Sequence, residues 1–201
     1  MVLFFTLLFV FCCVLEAQDF SWRFKNTEQL LEAIMPIKPL SYEDYPTSFR
    51  WIVSIRMRGS YIEQLMAISL KKSYSGGIEA TITRPVGKDL DRQIDQLARV
   101  NPKVSVSEVA NSIKLMHSKL NSRECSALIG LAEEFERLSF STVLPDVRIW
   151  QSTRYDIISQ SLHGNSVQIR YHGPGPEAKI QEEPVLDWVE RLRKLVNREC
   201  K

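Results

Sequence analysis

Phe49-Arg50-Trp51-Ile52-Val53-Ser54-Ile55-Arg56-Met57-Arg58 decides the fold. Phe49, Trp51, Val53, Ile55 and Met57 are apolar, while Arg50, Ser54, Arg56 and Arg58 stand between them. Successive side chains of a strand point to opposite faces, so this alternation predicts a strand with one face in a core. Gly59-Ser60 turns the chain into 62–72, where Ile62, Met66, Ile68 and Leu70 mark the inner side. Gly76-Gly77 provides the positive φ angles of a hairpin turn, and Ile78, Ala80 and Ile82 continue inward until Pro85. Residues 49–84 are therefore expected to form a three-stranded antiparallel meander.

Helices are expected next. Leu90, Ile94, Leu97 and Ala98 share one helical side, ending before Asn101-Pro102. Ser105 and Glu108 have capping-box spacing, and Val109, Ile113, Met116 and Leu120 extend that helix as a stripe. Leu128, Leu131, Phe135 and Leu138 mark a further helix. Val147 and Ile149 return the chain to strand, and 155–161 and 167–171 flank His163-Gly164-Asn165-Ser166 as a hairpin. In its second strand Val167, Ile169 and Tyr171 face inward, and Gln168, Arg170 and His172 outward. Pro184 opens a last helix, with Val185, Trp188, Val189, Leu192, Leu195 and Val196 as its apolar side. Tight turns between strands favour antiparallel pairing. The fold class expected is α+β: five to six strands in two hairpin or meander blocks, with helices packed on one face.

The N-terminus bears on location. Residues 2–15 are almost wholly apolar, too short for a comfortable span of ~20 residues but suited to a secretory signal. Cleavage after Ala17 is expected, giving a secreted or periplasmic protein with no stable membrane span. A retained anchor and a lipoprotein cut before Cys12 are the alternatives. The expected organisation is a signal at 1–17, a helix and connector at 18–48, with Asn26 as helix cap, and a single α+β domain at 49–201. Cleavage would remove Cys12 and Cys13 and leave Cys125 and Cys200, which in an oxidising compartment suggest one disulfide. The formal charge of +2 rises by one when Glu16 is lost, far from the footprint of a nucleic-acid binder.

Residues fit for chemistry are scattered. His163 and His172 would lie roughly 25–30 Å apart along a hairpin, and His117 stands on another element. The sequence has no His-x-x-x-His, Cys-x-x-Cys, acidic calcium loop or Gly-x-Ser-x-Gly, so neither a metal nor another cofactor is expected. Gly173-Pro174-Gly175-Pro176 lacks the Gly-Lys-Ser/Thr of a phosphate loop, and its prolines remove N–H donors. Alternation places Arg56, Arg58, Glu79, Asp156, Arg170 and His172 on the outer face of the sheet. The plain expectation is the solvated polar face of an antiparallel sheet with cross-strand charge pairs. If open, that face is also a platform for a small anionic ligand or an acidic protein.

The tract Trp150-Gln151-Ser152-Thr153-Arg154-Tyr155, a hairpin, and a terminal helix with Pro184 and Trp188 resemble exported bacterial α+β domains of unknown function. Ser152 and Thr153 stand where such domains often carry an acidic residue and a glycine. The resemblance covers about the last quarter of the chain and implies no site residues. The function expected is an exported, non-catalytic binding or interaction module of the cell envelope. An unrecognised periplasmic hydrolase, or a secreted inhibitor acting through loop 173–176, is the alternative.

Overall fold

The computed structural model describes residues 22, 26–37, 48–59, 61–138, 153–161, 166–172 and 184–198, without the side chains of Tyr171 and His172. In chain order the elements are α1 (26–34), β1 (Phe49–Arg58), a 3-10 turn (Ile62–Gln64), β2 (Met66–Ser73), β3 (Ile78–Val86), α2 (Leu90–Val100), α3 (Val106–Ser112), β4 (Lys114–Asn121), α4 (Ala127–Phe135), β5 (Arg154–Ser161), β6 (Ser166–His172) and α5 (Pro184–Asn197). The strands make one open antiparallel sheet of six, ordered β4-β3-β2-β1-β5-β6. The fold is α+β.

The meander forms as the alternation requires: β1 pairs with β2 from Trp51↔Lys72 to Met57↔Met66, and β2 with β3 from Ala67↔Thr83 to Lys72↔Ile78. Gly76 supplies the turn, at φ 83°. The other edge of β1 is taken by β5, with Ile55 opposite Ile157 and Arg56 opposite Asp156, and β6 pairs outside β5. Strands 147–149 lie outside the described residues.

Contacts divide the chain into two compact units. One contains the described residues up to Pro36 together with Val86–Lys114. Its buried side chains are Leu30, Leu31, Ile34 and Met35 of the α1 region, Leu90, Ile94 and Ala98 of α2, Val104, Val109 of α3, and Ile113. Leu97 is instead exposed. Asn26 stands inside the helical run, donating from Nδ2 to the Trp22 carbonyl at 2.8 Å, rather than capping it. Ser105 and Glu108 form the capping box, with Glu108 N–H donating to Ser105 Oγ at 3.2 Å and Ser105 N–H to Glu108 Oε2 at 2.7 Å.

That helix stops at Ser112, and this corrects the stripe read from Val109 to Leu120. Ile113 is extended (φ −87°, ψ 116°), and the chain continues as β4. Pairing decides it: β4 is hydrogen-bonded beside β3, and just past its end Ser122 N–H donates to the Ile78 carbonyl at 2.9 Å and Ile78 N–H donates to Ser122 Oγ at 3.2 Å. A free edge on β3 offers residues 114–121 backbone partners that an isolated helix extension could not match.

The second unit holds the sheet with α4 and α5. Val53, Ile55 and Met57 of β1, Ile68 and Leu70 of β2, Ala80 of β3 and Ile157 of β5 pack in one core with Leu128, Ala132, Trp188, Val189 and Leu192 of the two helices. Trp188 is fully buried, and its indole N–H donates to the Leu131 carbonyl at 2.8 Å, satisfying the one polar atom of the ring. Phe135 lies between Trp51 and Trp188, with ring centroids 5.1 and 4.9 Å away. Cys125 belongs to this core, while Cys200 lies outside the described residues.

Candidate functional site

The opposite face of β1 and β5 was expected to be solvated. It is buried: Ile52, Arg56, Asp156, Ile158 and Gln160 are each no more than 8 % exposed. The reason is legible in retrospect, since Ile52 beside Val53 and Ile158 beside Ile157 break strict alternation, as strands covered on both faces do.

Register brings the charged positions of this face together in two rows. In the first, Arg56 of β1 stands opposite Asp156 of β5, and Asp156 opposite Arg170 of β6. In the second, two residues along, Arg58 stands opposite Arg154 and Arg154 opposite His172. Asp156 is the hub. Its Oδ2 accepts Arg56 Nη2 at 2.9 Å and Nε at 3.2 Å. Its Oδ1 accepts Arg170 Nε at 2.8 Å, with Arg154 Nη2 and Nε longer at 3.3 and 3.4 Å. Burial pushes the Asp156 carboxyl up, but hydrogen bonds from Arg170 and Arg56 and the charges of Arg154 and Arg56 outweigh it. The net pKa lies below the ordinary value. Asp156 is thus an ionised, saturated acceptor.

The three arginines differ. Arg56 is buried and grips the hub with two nitrogens; the Arg154 side chain is 12 % exposed. The Arg170 side chain is 54 % exposed and spends only Nε on Asp156. Among the described residues neither Nη of Arg170 has a partner. Its guanidinium is held along one edge and points its terminal fork outward.

Of the other expected residues, Arg58 is half-buried beside this cluster. His172 holds its register position on β6, and its side chain is outside the description. Glu79 does not join them. It sits on β3, two strands from β1, with Lys71 Nζ at 4.0 Å and Lys119 Nζ at 3.8 Å. Arg154 was not anticipated, although its place two residues before Asp156 carried the signal. His117 is exposed on β4, its Nδ1 3.0 Å from Thr83 Oγ1. Loop 173–176, on which an inhibitor would depend, lies outside the described residues.

Two further ionic groups sit at the helix-covered side. Tyr155 donates its hydroxyl to Glu190 Oε1 at 2.7 Å, and Glu190 Oε2 takes Arg193 Nη2 at 2.6 Å. Burial first, then the Glu190 hydrogen bond and charge, push the Tyr155 phenol far up. Glu136 accepts Trp51 Nε1 at 3.0 Å and Lys72 Nζ at 2.9 Å. Burial pushes its carboxyl up, but these two bonds and the charges of Lys72 and Arg50 bring it below its ordinary value. Asp156 and Glu136 are held ionised and Tyr155 protonated. A general acid or base is tuned the other way, toward neutrality.

Among the described residues no helix is long and apolar enough to cross a membrane, and no group of three or more His, Cys, Asp or Glu side chains is placed to hold a metal ion. Comparison of the chain with family models, curated proteins and solved structures finds no match.

Proposed function

We propose that the protein is an exported, non-catalytic binding module of the cell envelope that holds an anionic partner at the exposed β6 end of this face, on Arg170. The observation that carries this reading is Arg170, fixed through Nε by a buried carboxylate and presenting its two terminal nitrogens to solvent. A guanidinium so oriented loses little freedom when it meets an oxyanion, which favours two parallel charge-assisted bonds. The ionisation states of Asp156, Glu136 and Tyr155 support binding over proton transfer. Export rests on residues 1–17, and the resemblance at Trp150–Tyr155, Pro184 and Trp188 points the same way.

Capture from envelope fractions of native cells tests the reading. The intact protein should retain a partner that high salt releases. Arg170→Glu should lose it, while Arg92→Glu, an exposed change on α2, should not. Equal capture by all three proteins, or turnover on a substrate panel that Asp156→Asn abolishes, refutes it. The intact mass of the recovered protein without reductant tests the rest. A species beginning at Gln18 and lighter by two hydrogens is expected if the leader is cut and Cys125 and Cys200 are joined.

A further inference from the structure

Arg170 lies on β6, and β6 ends the sheet. A terminal strand carries outward N–H and C=O groups with no neighbour to take them, and it templates further pairing unless charge or cover prevents it. Among the described residues nothing pairs with the outer edge of β6, and Ser166, Val167, Gln168 and Arg170 are all exposed. Val167, expected to face inward, is 44 % exposed. Positions 167 and 170 differ by an odd number, so these side chains stand on opposite faces of the strand.

The other edge is built differently. β4 carries Lys114 and Lys119 near its two ends, and Lys119 already meets Glu79 at 3.8 Å. Lysines on an edge discourage pairing, and the Lys119–Glu79 pair is long and exposed, unlike the 2.8 Å bond from Arg170 to the buried Asp156.

We propose that β6 is a docking edge for an extended acidic polypeptide segment, which adds to the sheet as a seventh strand with a carboxylate on the Arg170 fork. This rests on the binding-module reading and names its partner. Main-chain bonds along β6 supply affinity, and side chains supply choice. The residue opposite Arg170 is Asp or Glu. The residue opposite Val167, three positions away in either strand direction, is apolar and covers a side chain now in water. A small free anion would use the fork alone and leave the edge and Val167 as they are. An extended segment uses all three features, so the polypeptide is favoured.

The test uses the whole chain and a fluorescein-labelled peptide of eight residues, threonines except for an aspartate and, three positions on, a valine. Saturable anisotropy is expected. Asparagine in place of the aspartate should weaken binding about tenfold, the weight of a charge-assisted pair over a neutral one. On Arg170→Gln the two peptides should bind equally, with far-UV circular dichroism confirming that this variant is folded. N-methylation of alternate peptide nitrogens, which leaves the protein untouched, should abolish binding. Absence of saturable binding, undiminished binding of the N-methylated peptide, or displacement by acetate at the peptide's own concentration would each overturn strand addition. Partner capture that still depends on Arg170 would then leave the binding module standing without it.

Discussion

The two faces of β1 and β5 are both buried, by opposite means. Toward α4 and α5 the strands send Val53, Ile55, Met57 and Ile157 into an apolar core closed by Trp188. On the other side Ile52 and Ile158 flank a charged hub, with Arg56 and Asp156 as buried as their apolar neighbours. The apolar face is stabilised by area removed from water, in proportion to what each side chain buries. The ionic face is conditional. Desolvating both charges roughly cancels their attraction, so the pair adds little net stability, yet either partner left alone is a buried uncompensated charge. The same strands are therefore held by a face whose losses follow the volume removed and a face whose losses follow which charge is left without its partner.

The largest effect expected is on the apolar side. Trp188→Ala should cost about 3–5 kcal/mol in urea denaturation, toward the upper end because the Leu131 carbonyl also loses its donor. Asp156→Ala should come close behind, at about 3–5 kcal/mol, although it removes far less volume. The double change Arg56→Met with Asp156→Leu should recover most of that loss, whereas no second apolar substitution should restore Trp188→Ala. If the double variant is as unstable as the single, the contrast between the faces is wrong.

Acid sharpens the comparison. A carboxyl whose folded pKa is depressed contributes stability above its unfolded pKa and loses it as pH falls through the folded value. Asp156 and Glu136 both lie below their ordinary carboxyl values, so thermal stability should decline as the pH falls through and below the ordinary carboxylate range. Asp156→Asn should flatten the lower part of that limb, and Trp188→Ala should leave its shape unchanged. The smallest effect belongs to Arg191 on the exposed side of α5, which bonds Glu134 and, at 2.8 Å, Asp187. Arg191→Ala should cost less than about 1 kcal/mol, because solvent screens such pairs.

How much of this was legible follows from where each signal lies. β1 was readable because its period-two run is local, and α5 because Val185, Trp188, Val189, Leu192 and Val196 repeat at helical spacing beside Pro184. β4 was not. Val109, Ile113, Met116 and Leu120 fit a helical stripe, and only a neighbouring strand edge makes 114–121 extended. The site was half legible. Alternation put Arg56, Asp156 and Arg170 on one face, but their meeting at one carboxylate depends on the β1–β5 register, which no local pattern encodes. Glu79 obeyed the same alternation and landed on another part of the sheet.

The position of β1 has a consequence for the time course of folding. Its pairing with β2 closes through a short turn, whereas Arg56 and Asp156 are 100 residues apart in sequence. Loop closure over that separation is entropically slow, and chains dominated by such contacts fold slowly. The meander is thus suited to assemble first, with one flank of β1 waiting for the last third of the chain. Asp156 arrives with β5, so the carboxylate that neutralises Arg56 is also the late-coming latch that joins β5 and β6 to the meander.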